Sequence, residues 1–168
     1  MSGVSVTRDT FRMMVCVPED LVSLPADGEW AAWMTSIQVD GRTAVVLVSI
    51  TVTALDAPQG TARAGETLAA RLRARHPEGT ALIEEFTTSG GNRAVCVRRT
   101  VTQRVSGRDV TTGQAQALVV YPGPGAPGPG ALGVISGIAL DPDDLERTAV
   151  LVKGIALGMT VTSASAAA

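Results

Sequence analysis

The side chains best suited to acid–base or nucleophilic chemistry are few in this sequence and widely spaced. His76 is the only histidine, and Cys16 and Cys96 lack the C-x-x-C spacing of zinc or redox motifs. A catalytic triad or a two-histidine metal site would have to use this lone imidazole. His76 precedes Pro77 at the end of a predicted helix, so we expect a structural role for it. We expect both cysteines to be buried, reduced thiols, with a disulfide or a reactive thiol as alternatives.

Two pairs of adjacent carboxylates could in principle share acid–base work. Glu84 and Glu85 fall in a predicted strand, where neighbouring side chains point to opposite faces and cannot converge on one substrate. Asp143 and Asp144 belong to a predicted helix start. The sequence therefore predicts that no catalytic site assembles, that the protein is not an enzyme, and that it needs no metal or cofactor.

A glycine-rich segment formally matches the dinucleotide motif G-x-G-x-x-G at Gly123, Gly125 and Gly128. That motif needs backbone N–H groups aimed at a pyrophosphate and a helix that begins directly after it. Here three prolines lack an N–H group and a strand follows: Pro124, Pro127 and Pro129. We interpret the segment as an exposed hairpin tip and not as a nucleotide site.

Arginine is concentrated in the middle of the chain. Residues 60–108 carry nine Arg against four acidic residues, a balance of +5. Residues 1–59 carry three Arg against seven acids, and residues 109–168 carry one Arg and one Lys against five acids. This asymmetry is typical either of ordinary solvated surfaces or of a basic patch for an acidic protein partner.

The candidate partner-binding residues lie on the predicted strand pair 93–108, which we expect to form the contact surface in preference to the Pro/Gly loop. Strand alternation would place Arg93 and Arg99 on one face and three arginines on the other: Arg98, Arg104 and Arg108.

Composition and charge exclude several classes of protein. A net charge of −2 argues against a nucleic-acid binder. No apolar stretch reaches the ~18–20 residues that span a bilayer, so no membrane span is expected. The first residues lack a basic segment followed by an apolar run, so we expect no secretory signal and a cytoplasmic location.

The order of apolar runs and turn residues predicts an α+β fold. Strands are predicted over residues 10–17, 31–39, 43–54, 80–87, 93–104, 109–121 and 131–140. Asp40-Gly41 and Ser106-Gly107 predict hairpin turns. Both faces of strand 43–54 are partly apolar, which indicates a central strand covered on each side.

Two helices complete the prediction, over residues 63–76 and from Pro142 onward, with Asp141 as the N-cap of the second. We therefore expect one α+β domain over residues 1–162, with an antiparallel sheet of about six to seven strands flanked by two main helices. Residues 163–168 are expected to form a disordered tail.

This order of elements resembles the Mog1/PsbP-like α/β/α sandwich and, within it, the small actinobacterial proteins of the LpqN type. The residues that carry the resemblance are Trp30 and Trp33, the Gly90–Arg99 stretch, and a closing helix with Leu151, Ile155, Ala156 and Met159. The resemblance implies a non-enzymatic binding or assembly factor that acts on a protein partner.

Two functions follow as hypotheses. The first is a non-enzymatic protein-binding or assembly accessory domain of a high-GC bacterium, with a partner that presents an acidic surface. The alternative is a small-molecule carrier, because a core with only 3% aromatic residues could leave an apolar pocket. The sequence leaves the oligomeric state open.

Overall fold

Two antiparallel sheets and two helices make up the fold, in a computed structural model that describes residues 2–8, 11–24, 30–39, 41–55, 61–122 and 130–163. The helices are α1 (Thr61–Arg75) and α2 (Leu145–Leu157), the latter preceded by a 3-10 turn at Pro142–Asp144. The strands are β1 (Ser2–Arg8), β2 (Phe11–Val17), β3 (Val22–Ser23), β4 (Trp30–Val39), β5 (Arg42–Leu55), β6 (Leu82–Thr87), β7 (Arg93–Val105), β8 (Arg108–Tyr121), β9 (Gly130–Ala139) and β10 (Thr160–Ser163). The predicted α+β class is confirmed.

The larger sheet has seven strands in the order β3-β4-β5-β9-β8-β7-β6. It consists of two meanders, β3-β4-β5 and β6-β7-β8-β9, joined where β5 pairs with β9. Strand β5 therefore occupies an interior position, as its sequence predicted. Strands β8 and β9 pair from Tyr121↔Ala131 onward, so the Pro/Gly segment does connect two paired strands. Its residues 123–129 lie outside the described residues.

Two-residue turns set the register of both predicted hairpins. Val39 pairs with Arg42, and Gly41 has a φ of 81°. Val105 pairs with Arg108, and the turn residues Ser106 and Gly107 have φ values of 50° and 80°. Two positive φ angles in succession define a type I′ turn, whose twist matches that of the flanking strands.

The second sheet was not predicted. Its three strands have the order β1-β2-β10, with both outer strands antiparallel to β2. Strand β1 carries only two apolar residues, Val4 and Val6, and β10 has four residues, so neither gives a strong periodic signal. We predicted a disordered tail from residue 163 onward, but Ser163 belongs to β10 and pairs with Phe11.

The two faces of the large sheet are covered differently. On the first, which we call the α2 face, residues such as Ile50, Ile135 and Ala117 contact α2 and the small sheet in one buried cluster. On the second, the α1 face, Val95 and Leu118 pack with Ala69 of α1 in a smaller cluster. Helix α1 lies over β6, β7 and β8.

The expectation that β5 is covered on both sides is therefore only half correct. Its α2-face residues are buried, from Val46 at 0% exposure to Ile50 at 1%. Its α1-face residues, such as Leu47 and Thr51, are only half-buried, because α1 sits over the other end of the sheet.

Helix α2 and Met159, just beyond its C-terminal end, pack against glycines of the sheet. A Cβ atom at Gly137 would lie 2.6 Å from Val152 Cγ2 and 2.7 Å from Thr148 Cγ2. A Cβ atom at Gly133 would lie 2.5 Å from Met159 Cε. The small side chains of this face thus determine how closely α2 packs.

Candidate protein-binding surface

Strands β7 and β8 extend beyond both of their neighbours. Pairing of β6 with β7 stops at Leu82↔Arg98, and pairing of β9 with β8 starts only at Gly113↔Ala139. Between these limits β7 and β8 pair only with each other, out to Val105↔Arg108 at the turn. Residues 99–112 therefore form a two-stranded ribbon, with no described strand along either edge. We refer to this segment as the ribbon.

The five predicted arginines separate into two groups. Arg93 forms an ion pair with Glu66 of α1 at 3.2 Å, and Arg98 forms one with Glu146 of α2. Both lie in the part of β7 that pairs with β6, within reach of the helices. These two residues tie helices to the sheet, so they are less available to a partner than the sequence suggested.

The other three arginines belong to the ribbon. Arg99 Nη2 donates to Gln114 Oε1 at 3.3 Å, a neutral partner. Arg104 and Arg108 are exposed, and no carboxylate of the described chain lies within ion-pair distance of them or of Arg99. The ribbon contains one acidic residue, Asp109. Its charge is therefore +2 (three Arg, one Asp), without internal neutralisation by an ion pair.

The expected face of Arg108 is corrected by the register. Arg108 pairs with Val105, which shares strand parity with Arg93 and Arg99. Counting along the chain placed Arg108 with Arg98 and Arg104. Strand alternation does not continue through a two-residue turn, so this count fails beyond residue 105. The α1 side of the ribbon thus bears Arg99 and Arg108, and the α2 side bears Arg104.

Exposed valines accompany the arginines on the α1 side of the ribbon. Val105 is 52% exposed and Val110 is 40% exposed. Threonines dominate the opposite side, where Thr102 Oγ1 and Thr111 Oγ1 lie 2.9 Å apart. The ribbon therefore combines a positive charge with a modest apolar surface, and its strand edges hold backbone groups that another strand could pair with.

The carboxylate pair of β6 behaves as its strand position predicted. Glu84 binds Lys153 of α2 on one face, and Glu85 binds Arg73 of α1 on the other at 2.7 Å. The hydrogen bond from Lys153 lowers the pKa of Glu84. The two carboxylates bind side chains of different helices on opposite faces of the sheet, so they do not form an acid–base pair.

The cysteines differ from expectation in one respect. Both are free, and Cys96 is buried as predicted, with burial raising the pKa of its thiol. Cys16 is exposed, because the side chains of β2 alternate and Met13, Val15 and Val17 take the buried side. The prediction of burial is therefore wrong for Cys16.

A polar cleft beside the ribbon was not foreseen. His76 and Arg99 both line it, together with Gln114 and Gln116 of β8. The sequence analysis assigned His76 a structural role, and nothing in the sequence indicated that His76 and Arg99 line the same cleft. The alternation of Gln114 and Gln116 with alanines, directly before the apolar run of residues 117–121, is a signal that this sheet face stays partly uncovered.

Within the described parts of the chain, no group of three or more His, Cys, Asp or Glu side chains could hold a metal ion. Neither described helix combines the length and apolarity needed to cross a membrane. The motif at residues 123–128 lies outside the described residues.

Comparison with known proteins gives a likeness of fold. No family model matches the chain, and no curated protein matches its sequence. Seven chains of solved structures match. One is LpqN of Mycobacterium tuberculosis, described as involved in cell envelope biogenesis, at a TM-score of 0.58 and 16% identity over 96% of this chain and 91% of LpqN.

The likeness to LpqN supports the LpqN-like fold that the sequence predicted. At 16% identity it concerns the fold alone. The wider Mog1/PsbP resemblance stays a prediction.

Proposed function

We propose that this protein is a non-enzymatic protein-binding domain, and that its ribbon engages an acidic segment of a protein partner. The observation that carries the proposal is the ribbon itself, which projects beyond the sheet and, among the described residues, has no strand along its edges and no carboxylate paired with its three arginines.

Unpaired strand edges support binding by strand addition. An extended partner segment can pair with an exposed edge through main-chain hydrogen bonds, while alternate side chains provide selectivity. The type I′ turn and the continuous register from Ala94 to Val105 hold the ribbon in one conformation. A preorganised surface loses less conformational entropy on binding than a flexible loop does.

The arginines and the exposed valines of the ribbon contribute to binding in different ways. Each rim arginine contributes on the order of 1 kcal/mol or less, mainly to orientation and rate of association. Burial of Val105 or Val110 by a partner would contribute up to about 1.5 kcal/mol each. The partner segment we propose is therefore acidic, with apolar side chains between its acids.

The cellular process is part of the proposal. LpqN is described as involved in cell envelope biogenesis. We propose that the partner of this protein acts in the same process and is met at the cytoplasmic side, as the sequence analysis predicts. Cell fractionation with an antibody tests the location: recovery in the cytoplasmic fraction supports it, and recovery in the envelope fraction contradicts it.

Partner capture by matched arginine variants tests the surface. The protein, immobilised as bait, is exposed to native lysate as wild type, as Arg104→Ser/Arg108→Ser, and as Arg71→Ser/Arg75→Ser. The last is the control, because Arg71 and Arg75 are exposed on α1 and the charge change is the same. We expect the ribbon variant to lose a stoichiometric partner that the wild type and the control retain.

A loop variant provides the second comparison. Replacement of residues 123–129 by an Asn-Gly turn should leave capture unchanged. Circular dichroism confirms that each variant is folded. Full capture by the ribbon variant, together with loss of capture by the loop variant, would place the surface elsewhere and contradict the proposal.

A further inference from the structure

A small cleft lies between the last turn of α1 and the uncovered part of the α1 face. Its volume is about 180 Å³. Apolar side chains line part of it: Leu72 from α1, Val97 from β7 and Ile138 from β9. Polar side chains line the rest, with His76 at the end of α1 and Arg99 and Gln114 on the sheet. The cleft thus has an apolar part and a cationic part.

Arg99 is the feature that distinguishes this cleft. Arg73, Arg93 and Arg98 each form an ion pair with a carboxylate from a neighbouring element. Among the described residues, the side-chain partner of Arg99 is the neutral oxygen of Gln114, at 3.3 Å. A guanidinium has five N–H donors, so most of the hydrogen-bonding capacity of Arg99 is not used by the described protein groups.

The remaining polar groups can also donate. Gln114 accepts from Arg99 through its oxygen, which leaves its amide N–H groups free to donate. Gln116 Nε2 donates to Ser136 Oγ at 3.0 Å, so the Ser136 hydroxyl proton can point into the cleft. His76 adds an imidazole that can donate or accept. Several donors beside one unpaired guanidinium suit an anion with two oxygens.

We propose that this cleft binds a small organic carboxylate, with the carboxylate on Arg99 and the apolar body against Leu72, Val97 and Ile138. Bidentate geometry makes arginine well matched to a carboxylate. The volume is below the ~300–1,000 Å³ usual for drug-sized ligands, so the ligand is small. The cleft shares Arg99 with the ribbon, but Arg104 and Arg108 do not line it, so ligand binding in the cleft can be tested apart from protein binding by those two residues.

The lone histidine provides a direct readout. Because His76 is the only imidazole in the chain, its ring signals in an NMR spectrum are assigned without ambiguity and report on binding beside it. The probes are benzoate, its neutral counterpart benzamide, and inorganic phosphate. We expect saturable shifts of the His76 signals with benzoate, and much weaker binding of benzamide and phosphate. Equal binding of benzamide or phosphate would show that the cleft does not select for a carboxylate on an apolar body, and would overturn the proposal.

Two single variants and the ribbon variant complete the test. Arg99→Gln should raise the dissociation constant for benzoate about tenfold, because it removes a charge-assisted hydrogen bond. Arg93→Gln is the matched control on the same strand face and should bind benzoate as the wild type does. Unchanged binding by Arg99→Gln, or absence of any benzoate shift in wild type, would overturn the proposal. Normal benzoate binding by Arg104→Ser/Arg108→Ser would show that the cleft does not depend on the two ribbon arginines that lie outside it.

Discussion

Asp144 is a buried carboxylate that joins two distant parts of the chain. It is 1% exposed and accepts hydrogen bonds from Arg42 Nη2 at 2.8 Å and Arg42 Nη1 at 3.0 Å. Arg42 follows the β4–β5 turn, whereas Asp144 lies directly before α2. The hydrogen bond with Asp144 raises the pKa of Arg42. The pair therefore fixes the start of α2 against the large sheet.

Replacement of this carboxylate should destabilise the fold. We expect Asp144→Ala to lower the free energy of unfolding by about 2 kcal/mol, because two hydrogen bonds to a charged group are lost. Asp143→Ala is the control, since Asp143 is exposed and adjacent; it should change the stability by less than about 0.5 kcal/mol. Urea denaturation measures both. Equal effects of the two substitutions would show that the Arg42–Asp144 pair contributes nothing specific.

The two cysteines should react at very different rates. Cys16 is exposed, whereas Cys96 is 2% exposed and burial raises the pKa of its thiol. Thiolate is the reactive form, so a low thiolate fraction and lack of access both protect Cys96. An aromatic disulfide reagent at pH 8 should titrate one thiol in the native protein and two after denaturation. The Cys16→Ser variant should show no fast reaction; rapid labelling of that variant would contradict the burial of Cys96.

At the scale of elements, the distance between α2 and the large sheet depends on Gly137. A Cβ atom there would clash with Val152 and Thr148, both in the middle of the helix. We expect Gly137→Ala to lower the free energy of unfolding by about 2 kcal/mol, because an overpacked interface must separate. Thermal unfolding followed by circular dichroism provides the measurement.

A glycine on the same helix provides the matched control. Gly154 lies within α2 and is exposed, and a Cβ atom added there would meet open space, with no neighbouring side chain within 4 Å. Gly154→Ala should therefore raise the stability by roughly 0.5–1 kcal/mol through helix propensity. Stabilisation by both substitutions would show that α2 is not held at the distance set by Gly137.

At the scale of the whole molecule, one buried cluster joins both sheets and α2. It contains Met13 from the small sheet, Ile50 and Ile135 from the large sheet, and Val152 from α2. Since none of these layers buries its apolar side chains alone, we predict that they unfold together. Tyr121 adds a link, because its hydroxyl donates to the Met159 carbonyl oxygen at 2.8 Å.

Cooperative unfolding tests the prediction of a single domain over residues 1–162. Trp33 is 4% exposed on β4, so its fluorescence, recorded in a Trp30→Phe variant, will report on the core while circular dichroism reports on the strands and helices. We expect the two urea transitions to coincide, as in two-state unfolding. Separate midpoints would indicate that the small sheet and the large sheet are independent units.

Local sequence patterns were sufficient for most of the elements. Long apolar runs such as residues 43–54 predicted strands. Asp141-Pro142 predicted a helix start; Asp141 caps the 3-10 turn at Pro142–Asp144, through the hydrogen bond from the Asp143 backbone N–H, whereas the N-cap residue of α2 itself is Asp144. Turn residues at 106–107 predicted the hairpin of the ribbon. Each of these signals depends on the backbone preferences of adjacent residues, so no distant contact is needed to read it.

Only the tertiary structure decided which charges are neutralised and which surfaces stay open. Nothing local distinguishes Arg98, paired with Glu146 of α2, from its neighbour Arg99, which has no carboxylate partner in the part of the chain that the structure describes. Likewise, β1 and β10 become strands because β2 offers them two edges, although their own sequences carry little signal. The physical reason is the same in both cases: ion pairing, edge pairing and burial depend on groups distant in sequence, and their positions are set only when helices and sheets pack together.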